Sequence, residues 1–426
     1  MKRLFVAGVL AMLVPVLSSA QLGGLINKVK TKSKQRADQQ VDKQIDNTLD
    51  EIEGKKTAAP APADQPSAVR ETAAAPEPAL KSFSRYDFIP GEQVLYYDNF
   101  EGEAIGELPT AWNTSGTGEV TTLDKFPGNW LRLHKNFFYL SSNQKVFGEN
   151  YTAEFDVILQ LKNNGWSYPE LRFGFFASKD EPNGGNNFLK ESKKNSAMVA
   201  TIYPGEFRSS RVKLTSYLDG RDWFQGSPKA LESLEKSYGV PVHIAIQVQK
   251  ERCRIWVNEE KVFDVPKGIP VDHVMNQVFF EVGHTNYPED QYGVFISNIK
   301  VATGKADTRH KLVEEGKFST TGILFDFQSA VIKPESYAVL KEIAGVLKEN
   351  KFSINVIGHT SSDGDDQANM ELSKQRAAAV KVVLVSEFAI DAERIKTEGK
   401  GEAQPVADNK TKEGKVLNRR VEFVKL

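Results

Sequence analysis

Hydrophobic and polar positions change rhythm several times along this chain. The opening has a basic head, Lys2-Arg3, then an almost unbroken apolar run from Leu4 to Leu17, then the small residues Ser18-Ser19-Ala20. That order predicts a secretory signal over 1–20 with cleavage after Ala20, since the run is shorter than the roughly 20 apolar residues a membrane span needs. Over 21–56 the sequence is polar, but Val41, Ile45, Leu49 and Ile52 recur at helical spacing and predict an amphipathic helix. Ala and Pro then dominate 57–82, a composition that cannot form a core and favours an extended, semi-rigid spacer. From 83 to 304 the period becomes two: 151–161, 170–177, 242–249, 254–257, 278–282 and 293–301 read as short strands separated by turn residues. Many strands without helical periodicity predict a β-sandwich.

A charged stretch, 305–317, reads as a connector. Beyond it, over 318–426, strands and helices alternate. Strands are expected at 322–327, 353–358, 395–398 and 420–424. Helices are expected from Pro334, with Leu340, Ile343 and Leu347 on the buried face, and over 369–387. The expectation is a small α/β sandwich with helices on one side of a sheet.

Composition narrows the classes. With 40% hydrophobic residues, 26% charged residues and a net charge of -1, the chain is neither a multi-span membrane protein nor a basic nucleic-acid binder. Its one cysteine, Cys253, can form no internal disulfide and no Cys-rich metal site. No lipid-attachment cysteine lies near the expected cleavage site. The expected product is therefore exported, with no cofactor and no metal. The C-terminal resemblance that follows implies a periplasmic location, with outer-membrane association as the alternative.

Two resemblances follow from particular residues. The run Ile255-Trp256-Val257-Asn258-Glu259-Glu260-Lys261-Val262, with Asp98-Asn99-Phe100-Glu101-Gly102 and Ile296-Ser297-Asn298-Ile299-Lys300-Val301, resembles concanavalin-like jelly rolls. The C-terminal region resembles the OmpA-like peptidoglycan-binding family in a linked series of motifs. These are Leu324-Phe325-Asp326-Phe327 with Pro334, Gly358-His359-Thr360, Asn369 through Leu372-Ser373 to Arg376-Ala377, Gly399-Lys400-Gly401-Glu402, Pro405 to Asn409, and Asn418-Arg419-Arg420-Val421-Glu422. The resemblance implies a non-enzymatic domain that grips the diaminopimelate of a peptidoglycan stem peptide. That group ends in an ammonium and a carboxylate, and so needs an acceptor and a fixed guanidinium.

Carried over position by position, the family pattern makes Arg376 the carboxylate clamp and places Gln328, Thr360, Asn369 and Arg419 around the ligand. One position departs: the family has Asp directly after Gly-His-Thr, and here Ser361 stands there. Exchanging a charge-assisted hydrogen bond for a neutral one costs roughly 1–2 kcal/mol. Asp363, next to Gly364, is the candidate replacement. The alternatives are weaker binding, a modified stem, or a scaffold whose pocket has lost its ligand.

The sandwich offers less chemistry. Glu154-Phe155-Asp156 begins the E-x-D-x-x-E pattern of jelly-roll glycoside hydrolases, but Val157, Ile158 and Leu159 follow, and the two acids read as the solvent-facing side of a strand. Trp112, Trp130, Trp166, Tyr168 and Trp223 lie in loop-like stretches where a ring can stack on a sugar. A glycan or a protein is the expected partner of that domain, and a hydrolase targeted to the wall is the alternative function.

Overall fold

The period-two stretches form two antiparallel sheets of eight strands in the computed structural model, which describes residues 86–178, 185–189, 195–270, 275–304 and 307–426. The expected signal, amphipathic helix and spacer lie outside the described residues. The first sheet runs Glu260–Val265, Arg252–Val257, Pro241–Gln249, Asn150–Gln160, Gly293–Thr303, Asn129–Leu133, Gly118–Thr122, with Gln93–Asp98 also paired to Gly293–Thr303. The second runs Arg221–Gln225, Arg211–Leu218, Ala197–Tyr203, Leu171–Phe176, Gln277–Val282, Phe137–Leu140, Asn113–Thr114, with Lys229–Ala230 added beside Arg211–Leu218. Alternation sends Phe155, Val157 and Leu159 inward between the sheets. There the Phe155 ring meets Phe173 and Phe280 edge-on, with centroids 5.0 Å apart in each case.

The same alternation sends Glu154 and Asp156 to the outer face, yet neither meets solvent. They are only 5% and 6% exposed, which corrects the solvent-facing expectation. Lys300 Nζ lies 2.5 Å from Glu154 Oε1, and His243 stands between the acids, Nδ1 at 2.8 Å from Asp156 and Nε2 at 3.4 Å from Glu154. Asn298 donates to the second Asp156 oxygen at 2.8 Å. Two carboxylates, one ammonium and one imidazolium cancel. Burial opposes every one of these charges, but the pairing outweighs it. Lys300 and His243 hold Glu154 down to about 2, and His243 does the same for Asp156. His243 in turn is raised to about 10. Over this face Phe88 and Tyr86 pack edge-on against Trp256, and Ala338 of the C-terminal domain joins the cluster.

The C-terminal domain has a four-stranded sheet in the order Lys317–Thr320, Val421–Lys425, Ile354–Gly358, Ile395–Gly399, with only the last pair parallel. Its helices are α1 (Thr308–Val313), α2 (Tyr337–Glu349), α3 (Asp366–Ser386) and α4 (Lys412–Asn418). Ile343 and Leu347 of α2 and Val380 and Leu384 of α3 close the core over Ile354, Val356 and Phe423.

Two expectations shift here. The expected strand at 322–327 is a loop closed by the single bridge Phe325–Ile332, and the edge strand lies earlier, at Lys317–Thr320. Its backbone is satisfied locally instead. The Ser336 hydroxyl accepts from the Leu324 N–H at 2.8 Å and donates to the Leu324 carbonyl at 3.1 Å, the Asp326 N–H donates to the Val331 carbonyl at 3.0 Å, and the Gly322 N–H donates to the Thr320 hydroxyl at 3.0 Å. The charged connector also contains structure: Asp307 caps α1, and α1 buries Leu312 in the C-terminal core.

The ionic cluster makes stability depend on pH in both directions. The folded pKa of His243 is raised, so its contribution is complete below 6.5 and lost as pH rises through about 10. Those of Glu154 and Asp156 are depressed, so their contribution is complete above roughly 4.5 and lost as pH falls toward about 2. Thermal unfolding followed by circular dichroism should give a melting temperature that is highest near pH 5–6 and declines on both sides. Lys300→Met, which strands a buried carboxylate, should cost about 3–5 kcal/mol at neutral pH.

Candidate functional site

Strand Ile354–Gly358 ends at the sheet's edge and runs directly into Gly358-His359-Thr360-Ser361. This turn is pinned by backbone bonds rather than by side chains. The His359 N–H donates to the Arg420 carbonyl at 3.0 Å, the Thr360 N–H to Gly401 at 2.9 Å, and the Lys400 N–H to Gly358 at 3.0 Å. His359 is buried, with Nε2 3.6 Å from Glu422. Burial raises the Glu422 carboxyl, but the neighbouring His359, Lys317 and Arg420 outweigh it and hold the group well below the usual range. Neither His359 ring nitrogen has a hydrogen-bond partner among the described residues, so the ring sits behind the turn as packing.

The chain then enters α3, whose N-cap Asp365 accepts from the Gln367 and Ala368 N–H groups at 3.0 Å each. Asn369, one turn in, is buried and ties the loop to its surroundings. Its Nδ2 lies 3.3 Å from the Ser361 carbonyl, 3.1 Å from the Asp363 carbonyl and 2.7 Å from Glu402 Oε2. The Ser361 hydroxyl donates to Asp363 Oδ2 at 2.8 Å. A carboxylate therefore rests on the tip of the serine, two residues from where the family pattern places one.

Almost three turns into α3, Arg376 reaches across to the loop between Phe325 and Ile332. Its Nε donates to the Ser329 carbonyl at 3.0 Å, and its guanidinium carbon lies 4.8 Å from the Phe325 ring centre. No carboxylate pairs with it among the described residues. Burial, and then the neighbouring Arg419, lower its pKa to about 10, still far above neutrality. Gln328, on the same loop, is exposed and has φ of 50°. This left-handed backbone is one that Asn or Asp adopts more readily than Gln.

Arg419 Nη1 is 3.7 Å from Asp363 Oδ2. Thr360 is buried, and its hydroxyl has no hydrogen-bond partner. Gln328, Thr360, Ser361, Asp363, Asn369, Arg376 and Arg419 thus lie on the turn after Ile354–Gly358, the start of α3, the 325–332 loop and the end of α4. Two neighbours do internal work instead. Asn418 accepts from Val406 and Ala407, and Arg420 pairs with Glu422 at 2.7 Å.

Sequence reasoning missed the residues on the other side of the pocket. Lys415 of α4 places Nζ 2.5 Å from Asp363 Oδ1 and 3.5 Å from Glu101 of the sandwich. Lys412 bonds Asp98 at 2.7 Å and Glu103 at 3.3 Å, and Arg419 sits 5.9 Å from the Tyr97 ring centre. The sandwich and the C-terminal domain fall within one compact unit, and this charged seam joins them beside the pocket. The only sequence signal was an acidic run, Asp98 to Glu103, more than 300 positions from a basic one, Lys410 to Lys415.

On the sandwich, Trp112 and Trp130 are core residues, whereas Trp166 and Trp223 are 55% and 40% exposed. Tyr168 stacks on Tyr287 and donates to Glu206. Among the described residues no cluster of acids, histidines and cysteine is arranged to hold a metal ion, and no helix is long and apolar enough to cross a membrane.

The turn, the helix and the two loops carry their motifs in one order over residues 324–419, and that stretch matches the OmpA family model. Residues 324–419 are an OmpA family domain. The domain is 48% identical over 102 residues to the probable lipoprotein YiaD of Escherichia coli, covering 24% of this chain and 46% of that protein. It is 46% identical over 101 residues to outer membrane porin F of Pseudomonas aeruginosa, covering 24% of this chain and 29% of the porin. Among solved structures, the cell wall anchor of the T6SS from P. aeruginosa is 34% identical, covering 24% of this chain and 74% of that one, with a TM-score of 0.23. The match spans less than half the length of the two curated relatives.

The ties made by Asn369 yield a direct expectation. Asn369→Ala leaves loop carbonyls and Glu402 without their donor and should destabilise the OmpA family domain by about 1–3 kcal/mol. Urea unfolding measures the loss, and hydrogen exchange should quicken first at residues 361–364.

Proposed function

We propose that this chain is a non-enzymatic cell-envelope protein that binds peptidoglycan noncovalently, through the diaminopimelate of the stem peptide. The observation that supports the reading is a run of neighbours: Arg376, half-buried and without a carboxylate partner among the described residues, lies near Arg419, and Arg419 lies 3.7 Å from Asp363 on the turn. A group ending in both a carboxylate and an ammonium is the complement of Arg376 and Asp363 together. Arg376 takes the ligand carboxylate in charge-assisted bonds, and Arg419 reinforces it. Asp363, steered by Ser361, supplies the acceptor that the usual aspartate would supply. Thr360 offers its free hydroxyl, Gln328 borders the opening, and Asn369 keeps the loop in shape.

The names of the relatives, an outer membrane porin and a lipoprotein, support an envelope address. The exported, periplasmic or outer-membrane-associated reading rests on these and on the first twenty residues. The sandwich we read as a concanavalin-like jelly roll presenting a second binding surface, with exposed Trp166 and Trp223 as its candidate contacts. A hydrolytic role gains no support from Glu154 and Asp156, because both are buried and neutralised by Lys300 and His243.

Sedimentation of the full chain with purified diaminopimelate-type peptidoglycan tests the reading. The parent should pellet with the wall. Arg376→Ala, which removes charged hydrogen bonds that contribute about 1.5–3 kcal/mol, should bind roughly 10- to 100-fold more weakly and stay in the supernatant. Equal pelleting of both proteins would overturn the assignment of the clamp.

A further inference from the structure

Asp363 belongs to a charged group with the cations Lys415, Arg419 and Arg376, while Glu402 is tied to Asn369 and Glu101 lies on the far side of the seam from α4. Asp363 faces Lys415 at 2.5 Å and Arg419 at 3.7 Å, and Arg376 lies close enough to Arg419 for the two to repel. Chemically, the Lys415 ammonium is the same kind of group as the free amine at the end of diaminopimelate. The Asp363 oxygen it holds is the one a ligand amine would need, because the other oxygen already accepts from Ser361 and faces Arg419. Two ammonium groups cannot both sit at bonding distance on one oxygen without repelling each other strongly.

Lys415 has a second carboxylate within reach. Glu101, exposed on the sandwich, already lies 3.5 Å from its Nζ, so the lysine can shift its weight from Asp363 to Glu101. The lysine is held to the seam by its neighbour on α4, since Lys412 is anchored by Asp98 and Glu103 and the adjacent Glu413 accepts from the Tyr97 N–H at 3.4 Å.

We propose that Lys415 is an internal stand-in for the ligand's ammonium, and that it sets the selectivity of the pocket. While Lys415 occupies Asp363, the pocket recognises a terminal carboxylate with little regard to the amine beside it. Recognition of the amine requires Lys415 to move onto Glu101 of the sandwich. Lys415 is thus a specificity-determining residue, and Glu101 is the acceptor that makes its release tolerable. The inference rests on the diaminopimelate reading above. Two further facts agree with it: bonding to Asp363 and the charge of Glu101 raise the lysine's pKa, and bonds from Lys415 and Ser361 outweigh burial to lower that of Asp363.

The test is isothermal titration of the full chain with two tripeptides. One is L-Ala–γ-D-Glu–meso-diaminopimelate, and the other ends in 2-aminopimelate, which keeps the terminal carboxylate and lacks the terminal amine. The parent should bind the two within a few-fold of each other. Lys415→Met frees Asp363, so its preference for the diaminopimelate peptide should rise by roughly 10- to 100-fold, the worth of a charge-assisted bond. Lys415→Arg, which keeps a cation and checks that the fold survives, should behave as the parent. Glu101→Gln should weaken the diaminopimelate peptide and leave the amine-free one unchanged. If the parent already prefers the diaminopimelate peptide by tenfold or more, or Lys415→Met leaves the ratio unaltered, the role of Lys415 is overturned while the diaminopimelate reading stands. If neither peptide binds the parent or any variant, the ligand reading falls and takes this inference with it.

Discussion

A charge taken out of water must be met by another charge or by several hydrogen bonds, and this constraint organises the joint between the two domains. On the outer face of the sandwich it produces the neutral set Glu154, Asp156, His243 and Lys300, buried under Tyr86, Phe88 and the start of α2. At the edge of the same face it produces the Asp98–Lys412 and Glu101–Lys415 pairs. The two groups are physically continuous. Asn298 bonds Asp156 on one side and accepts from the Tyr97 hydroxyl at 3.1 Å on the other, and Arg419 lies over the Tyr97 ring on its way to Asp363. The pocket of the OmpA family domain is therefore built partly from the sandwich, and its electrostatics depend on a domain that the family does not supply.

Within the pocket the sum does not cancel. Among the described residues Arg376 has no carboxylate partner and is destabilised by Arg419, while Asp363 accepts from Ser361 and Lys415 and faces Arg419. An excess of cations of this kind favours an incoming anion, in keeping with the carboxylate ligand proposed above. In the reading proposed above, Asp363 takes the place of the usual aspartate. Ser361 carries no charge itself but directs Asp363, and Asn369 holds the loop in the conformation that lets it do so.

Much of this was legible in sequence, for reasons of period. The expected strands at 151–161, 242–249 and 293–301 coincide with observed strands to within one or two residues, because strict alternation survives burial on one face. The helix from Pro334 and the long helix carrying Arg376 were legible from their caps and spacing. What failed to show was tertiary. Gly322 to Phe327 alternates like a strand, but Ser336, Thr320 and the Val331 carbonyl satisfy its backbone locally. Glu154 and Asp156 look like the wet side of a strand until His243, Lys300 and Tyr86 are brought over them by residues 70 to 150 positions away. Lys415 reads as one more surface lysine, since its partners Asp363 and Glu101 come from another loop and another domain.

The most direct measurement is hydrogen–deuterium exchange of the full chain with and without a diaminopimelate muropeptide. The account predicts slower exchange on binding at 328–331, 360–369 and 412–419, together with a change at 97–103 of the sandwich, across the seam. Protection confined to the sandwich loops around Trp166 and Trp223, with the turn after Gly358 unaffected, would contradict it.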